Sequence, residues 1–380
     1  MSIINFKQRD FSIPYLFREL IFQESSFTYV ELTGRESFGK IIKYLKSEKF
    51  IIILNSSGEN TLKLYKDINK RIDEIIPFDK TINIRSKDFS RNRKREYDKL
   101  NNNILNRLLI VSQGNKITSF SEDIKIPYLM SFCGENPNCN DPLKEYLLPY
   151  KFFLELKDSL DSEILIKCSN FKISAGMNVL LPKSQETSEL FRDALSDLKQ
   201  RSGLKAIDMG CGSGVLTLIA DSIFDNSEIH FTDVLPEALA SALNNIDNNT
   251  SSEIRNNSLI CGDPGDLFEK IDDLFDLIIF NPPWVDAAAR NRSEYALNDK
   301  DQKLIERFII QAKSRLLTDG RIALAYSDNS GEKAVENLNS IVETNGFITE
   351  REYSARVQSY QSGRKWMKIF VRILKPEHCN

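Results

Sequence analysis

From Lys205 onward, apolar runs of four to six residues alternate with stretches whose apolar residues recur at helical spacing. The pattern predicts a strand at Ala206–Met209 with a helix to Ile223, a strand at Glu228–Phe231 with a helix to Ile246, and a strand at Ser258–Cys261 with a helix to Ile271. A fourth strand is predicted at Phe275–Phe280. After a loop come a helix over Asp301–Leu316, a strand at Arg321–Tyr326 and a helix over Glu332–Asn345 that closes at Gly346. Two last strands, Phe347–Tyr353 and Trp366–Leu374, flank a turn around Gln361-Ser362-Gly363 and should pair antiparallel. Regular alternation of this kind implies an α/β fold with a parallel sheet, here six parallel strands and one reversed edge strand.

The first half is patterned differently. Phe50–Leu54, FIIIL, predicts a buried strand, and Leu62–Ile76 a helix with Leu64, Ile68, Ile72 and Ile75 on one face. A second helix is predicted over Asp141–Leu160, dense in Leu, Tyr and Phe. Glu163–Leu181 alternates like a set of short strands, EILIKC, FKIS and NVLL, separated by Ser-Asn and Ala-Gly turn signals. At 380 residues the chain is long for one core. We expect an accessory α/β domain over residues 1–164 and the regular sheet over 165–380.

Composition narrows the class. An apolar fraction of 41% and a charged fraction of 28% are those of a globular protein. No run of 18 apolar residues occurs and the N-terminus lacks an apolar signal core, so the expectation is a cytoplasmic protein with no membrane partner. Cys133, Cys139, Cys168, Cys211, Cys261 and Cys379 form no C-x-x-C pair and the chain has only His230 and His378, so we predict reduced thiols, no metal and no imidazole-based catalysis. Charge is divided: residues 1–170 hold 27 Lys/Arg against 23 Asp/Glu, leaving 24 against 31 for residues 171–380. An acidic second half does not suit a domain that grips a nucleic acid backbone unaided. Arg85–Arg95, with six basic residues and one acid, reads either as a phosphate grip or as a solvated segment.

The chemistry concentrates where the first regular strand breaks. Asp208-Met209-Gly210-Cys211-Gly212-Ser213-Gly214 runs straight into a helix, which sets backbone N–H groups and a positive helix end against a ligand. A dinucleotide fingerprint would need glycine where Val215 stands, and a phosphate loop would need a Lys-Ser/Thr pair that is absent. Asp233 ends the next strand about 20 residues on, where a carboxylate can accept from both ribose hydroxyls. Asn281-Pro282-Pro283-Trp284 follows the fourth strand.

Asp208-x-Gly210-x-Gly212-x-Gly214 resembles the first motif of class I S-adenosylmethionine (SAM) methyltransferases, and Asn281-Pro282-Pro283-Trp284 resembles the N-P-P-[YFW] motif of enzymes that methylate nitrogen in glutamine, adenine or guanine. Leu181, Pro182 and Thr187 resemble the lead-in of the HemK-type glutamine methyltransferases, although Lys183 and Ser184 stand where that family has arginine and proline. The resemblance covers about residues 165–375 and implies a Rossmann-like seven-stranded class I methyltransferase sheet with SAM as cofactor. It implies that Gly210, Cys211, Gly212 and Gly214 back the methionine moiety and that Asp208 helps fix its ammonium. Asp233 would bind the ribose, Val234 and Leu235 would lie against the adenine, and Asp263 would accept from the adenine amino group. Asn281 would border both cofactor and acceptor.

For the reaction, the Asn281 side-chain oxygen and the Pro282 backbone oxygen can hold two N–H groups of a planar acceptor, Trp284 can stack on it, and Pro282 and Pro283 stiffen the turn. The acceptor is then an amide or amine nitrogen of a protein or small molecule. A base of RNA or DNA, held by the N-terminal domain, is the alternative, and a non-catalytic SAM-binding scaffold is a third reading. Val285–Asp299, with Arg290, Arg292 and Tyr295, reads equally as a substrate lid or a structural loop.

Overall fold

The structure is a computed structural model that describes residues 2–6, 9–22, 27–31, 38–75, 91–136, 141, 143–182, 185–198, 203–250, 259–359 and 365–377. The chain divides into two compact units, Met1–Asp158 and Ser159–Asn380, a division six residues before the sequence-based one.

The first unit is built on a mixed sheet. Its strands are β1 (Ser2–Phe6), β2 (Arg9–Ile13), β3 (Phe27–Glu31), β4 (Phe50–Leu54), β5 (Leu108–Gln113), the short β6 (Lys116–Ile117) and β7 (Ile124–Lys125), and β8 (Glu145–Pro149). The order is β1-β2-β8-β5-β4-β3, with β3, β4 and β5 parallel and β8 antiparallel to β5. The helices are α1 (Arg18–Phe22), α2 (Phe38–Lys46), α3 (Gly58–Lys70), α4 (Arg91–Leu105), α5 (Leu129–Phe132) and α6 (Tyr150–Asp161). FIIIL is buried along most of its length, as both faces of a central strand must be. The helix expected over Asp141–Leu160 divides into β8 and α6. Tyr146, Leu147 and Leu148 are all buried in the sheet, and a run apolar on successive positions carries no period that separates strand from helix. Residues 85–90 of the basic run lie outside the described residues.

In the second unit β9 (Ile164–Ile166) and β10 (Phe171–Ile173) form a separate antiparallel pair. Asn178–Leu181, expected as a further strand, is irregular, with Asn178 in the left-handed region at φ 68°. The main sheet takes β11 (Lys205–Met209), β12 (Glu228–Asp233), β13 (Leu259–Pro264), β14 (Phe275–Phe280), β15 (Leu316–Ser327), β16 (Phe347–Gln358) and β17 (Trp366–Pro376) in the order β13-β12-β11-β14-β15-β17-β16. The first five are mutually parallel, and β17 runs antiparallel to both β15 and β16. This is the seven-stranded arrangement that the sequence resemblance implies, with one correction. The reversed strand is not the edge strand but lies second from the edge, because β17 buries both faces: Ile369, Val371 and Ile373 on one side, Phe370 and Leu374 on the other.

Helices cover both faces of this sheet. α7 (Glu186–Ser196), α8 (Val215–Ile223) and α9 (Pro236–Asn249) pack on one, α10 (Lys303–Lys313) and α11 (Glu332–Thr344) on the other. The helix expected after the third strand is absent: Pro264 and Gly265 break the chain, and the segment to Ile271 is a series of turns with Leu267 at φ 53°. No helix among the described residues is long and apolar enough to cross a membrane.

Candidate functional site

The site forms where the carboxyl ends of β11, β12 and β14 meet, the edge at which open parallel sheets bind ligands. Here a cavity of about 400 Å³ is bordered by the glycine turn, by Asp233–Leu235, by Phe280, Asn281, Pro283 and Trp284, and by the irregular segment Asn178–Pro182. That volume suits a nucleoside-sized ligand. Its described lining includes two carboxylates, Asp233 and Asp266, and among the described residues no Lys or Arg.

Each glycine of the turn has positive φ, for different reasons. At Gly212, φ 54°, a Cβ would meet nothing within 4 Å, so this residue keeps cavity space open for a ligand. At Gly214, φ 77°, a Cβ would stand 2.8 Å from the Ala242 Cβ, so this residue lets α8 start against α9. Cys211 is buried, its N–H donates to the Thr232 carbonyl at 3.0 Å, and burial pushes its thiol well above the ordinary range.

Asp233 is gripped from both sides: the Gly212 N–H donates to its Oδ2 at 3.0 Å and the Leu235 N–H to its Oδ1 at 2.9 Å. The Val234 backbone N–H acts on the same carboxyl. Burial pushes the carboxyl up to about 6, with its backbone hydrogen bonds opposing the shift. Val234, 56% exposed at the mouth, and buried Leu235 flank it as apolar walls. Asp263 is the penultimate residue of β13, and its side chain lies outside what is described.

Asp208 requires a correction. It was expected at the ligand's ammonium, yet it is fully buried, does not border the cavity, and accepts from the Thr217 hydroxyl at 2.7 Å. Burial pushes its carboxyl up to about 7. It ties β11 to the first turns of α8, which fixes the glycine turn from behind.

At the end of β14, Asn281 is exposed at the cavity rim, and its side chain has no hydrogen-bond partner among the described residues. Pro283 and the half-buried Trp284 border the cavity; Pro282 is buried and does not, so of the two expected acceptors only Asn281 reaches it. Trp284 packs against both cores of the sheet, and its carbonyl accepts from the Ser330 hydroxyl at 2.8 Å.

The connection Val285–Asp299 is pinned along its length. The Val285 N–H donates to Leu297 and the Asp299 N–H to Val285, both at 2.9 Å, while the Asp299 carboxylate accepts from Leu304 and Ile305 at the start of α10. Arg292 forks onto Glu237 of α9 at 2.6 and 2.9 Å, and Glu237 is only 1% exposed. Tyr295 and Ala296 thereby border the cavity, whereas Arg290 does not. The stretch is thus an anchored loop that borders the cavity.

Sequence reasoning missed the support of the opposite wall. Asn245, 1% exposed, donates from Nδ2 to the carbonyls of Ser174 and Ser213 and accepts from the Ser174 N–H. Ser241 accepts from Gly176, and Asn249 brackets Lys172. Ser241, Asn245 and Asn249 recur every four residues on an apolar helix face, and that spacing was the available signal. They clamp residues 172–176 and so carry the next segment, with Leu181 and Pro182, to the cavity; Thr187 on α7 joins them. Lys183 and Ser184 lie outside the described residues.

Against known proteins, residues 185–353 match the family described as "Methyltransferase small domain". The chain is 27% identical over 174 residues to the release factor glutamine methyltransferase of Lactococcus lactis, an alignment covering 43% of this chain and 61% of that protein. It is 28% identical over 158 residues to ribosomal RNA small subunit methyltransferase C of Actinobacillus pleuropneumoniae, covering 40% of this chain and 42% of that one. A Methanocaldococcus jannaschii protein described as a protein N5-glutamine methyltransferase is 28% identical over 180 residues, covering 46% of this chain and 85% of its own. The matches thus span about three fifths and two fifths of the first two relatives' lengths.

Proposed function

For a chain whose residues 185–353 match a small methyltransferase domain on the class I sheet, we propose a SAM-dependent N-methyltransferase acting on an amide or amine nitrogen of a protein or small molecule. The cavity supports SAM over a dinucleotide. A pyrophosphate calls for a glycine where Val215 stands, whereas two carboxylates and no Lys or Arg among the described lining residues suit a ligand with positive ammonium and sulfonium groups. Bound SAM supplies an electrophilic methyl group.

The chain's own residues do the positioning. Asp233 accepts from the ribose hydroxyls, Leu235 and Val234 enclose the adenine, and Gly212 admits the methionine end. Asn281 Oδ1 takes one N–H of the acceptor, which turns the nitrogen lone pair away from the side chain and toward the donor. Trp284 offers the planar group an apolar wall. No side chain is needed to remove a proton before transfer, so the reading depends on alignment. Cytoplasmic location belongs to the same proposal.

The observation that carries the nitrogen reading is Asn281, exposed, unpaired among the described residues and next to Trp284 on the donor cavity. A second reading, methylation of a nucleic acid base, is supported by the relative described as a ribosomal RNA methyltransferase. Calorimetry with SAM and a methyl-transfer screen across peptides, RNA and metabolites test both. Asp233→Ala should abolish SAM uptake, whereas Asn281→Ala should keep SAM affinity within a few fold and lose transfer. Equal loss of both in the Asn281 variant would make this side chain a cofactor ligand first.

A further inference from the structure

A second surface occupies the same edge of the sheet. β15 is last paired with β17 at Ser327↔Ile369, while β16 and β17 continue together to Gln358↔Trp366. On one face of this two-stranded extension Arg356 stands directly across from Lys368, followed by the pair Gln358 and Trp366; on the other face Val357 and Met367 are buried. Trp366 is 42% exposed, and the Arg356 guanidinium and the Lys365 ammonium each lie 5.8 Å from its ring centroid. Beside it is an open hollow of about 510 Å³ bordered by Asp328, Arg356, Trp366 and Lys368.

Charge here runs against the rest of the unit. Residues 354–368 hold four basic side chains, Arg356, Arg364, Lys365 and Lys368, and no acid, whereas residues 171–380 hold 24 Lys/Arg against 31 Asp/Glu. Like charges directly opposite weaken a strand pair. Glu352 compensates Lys368 at 2.6 Å, but no carboxylate among the described residues is paired with Arg356.

The surface is joined to the donor cavity. The Lys368 N–H donates to Asp328 at 2.8 Å, and two residues on the Ser330 hydroxyl donates to the carbonyl of Trp284, which lines the cavity. β17 lies two strands from β14, ~10 Å at sheet spacing, and Trp366 stands six residues beyond Arg372, which is level with the end of β14, so the tip projects a further ~20 Å along the strand direction.

We propose that the tip of the β16–β17 pair binds single-stranded nucleic acid, with a base stacked on Trp366 and phosphates held by Arg356, Lys365 and Lys368. Cations flanking an exposed ring form the combination that single strands recognise: charge follows the backbone and the indole takes an unpaired base. A duplex offers no free base face, and an acidic polypeptide has no use for the indole. This goes beyond the methyl-transfer reading, and binding can be measured without transfer.

The test is fluorescence anisotropy of the full chain with a labelled mixed-sequence single-stranded RNA, its duplex and polyglutamate, between 50 and 300 mM salt (assay conditions on the order used to expose phosphate contacts). The single strand should bind best. Arg356→Gln with Lys365→Gln should lower the slope of log affinity against log salt by about 1.4, two contacts at about 0.7 each for single strands. Trp366→Ala should weaken binding about tenfold with the slope unchanged, and Trp366→Phe should restore most of it. The proposal is overturned if the unaltered chain fails to bind the single strand at the lowest salt. It is equally overturned if the variants bind as the unaltered chain does, which would place binding elsewhere, as at Arg85–Arg95. Polyglutamate binding insensitive to Trp366→Ala would make the site one for acidic polypeptide and overturn it too. SAM calorimetry on the same samples separates the two readings: absent uptake by the unaltered chain refutes the methyltransferase and leaves the RNA result standing.

Discussion

Gly212 and Gly214, two residues apart in one turn, should fail in opposite ways when a single methyl group is added. In Gly214→Ala the new Cβ would lie 2.8 Å from Ala242 Cβ and 2.9 Å from its Cα, with φ at 77°. Carbon atoms pack at about 3.5–4.0 Å, so α8 and α9 must separate by about 0.8 Å. They resist this because Asn245, one turn along α9 from Ala242, is hydrogen-bonded to Ser213 in the turn itself. Left-handed strain of about 1–2 kcal/mol and overpacking of about 1–3 kcal/mol give a loss of about 3 kcal/mol. For a unit running from Ser159 to Asn380, at about 2–4 °C per kcal/mol, the melting temperature should drop about 6–12 °C. In Gly212→Ala the methyl group meets nothing, so only the strain remains, about 1 kcal/mol or a drop of about 2–4 °C. That methyl occupies donor space instead, and SAM affinity should fall more than about tenfold, about 1.4 kcal/mol. Thermal melts and SAM calorimetry on both variants decide it. Equal melting losses, or a Gly214 variant that is stable but cannot take up SAM, would refute the division of roles.

Three further outcomes are expected. Arg292→Ala leaves the Glu237 carboxylate buried and unpaired, which should cost about 3 kcal/mol in urea unfolding, and adding Glu237→Gln should recover at least half; a double variant no better than the single one would show the pair to be incidental. Because the Asp233 carboxyl is raised to about 6 and must be ionised to accept both ribose hydroxyls, SAM affinity should be flat above pH 7 and about tenfold weaker at pH 5, measured by calorimetry; a flat profile would remove Asp233 from the ribose. Asp208, raised to about 7 from an unfolded value near 3.9, contributes stability that is complete below about pH 4, is lost as pH rises through 7 and totals on the order of 4 kcal/mol, so melting temperature should fall between pH 4 and pH 7 and level off above about pH 8, and Asp208→Asn should flatten that fall.

Apart from the helix expected after the third strand, the order of strands and helices from Lys205 onward was legible in the sequence because each element carries its own period, and the glycine turn and Asn281–Trp284 stood out because they sit at strand ends, where a parallel sheet puts its ligands. Local pattern sufficed for Gly212 and Asp233 as well, since a turn residue and a strand-terminal acid are placed by their own segment. It did not suffice where a position depends on what packs against it. Asp208 sits in the motif but is sealed behind the turn, because burial depends on neighbouring helices that the motif does not contain. The insertion of β17 between β15 and β16 was decided by two apolar faces finding two cores, which no single strand reveals. The same holds for the clamp of Asn245 on Ser174 and Ser213, for Arg292 on Glu237, and for Trp366 beside Arg356 and Lys365: each joins residues distant in sequence or across a strand pair. What the chain wrote locally is the succession of strands and the glycine turn; what only the assembled fold decided is the place of β17 in the sheet and which of those side chains reach the cavity, since reach depends on the packing of neighbours and not on sequence spacing.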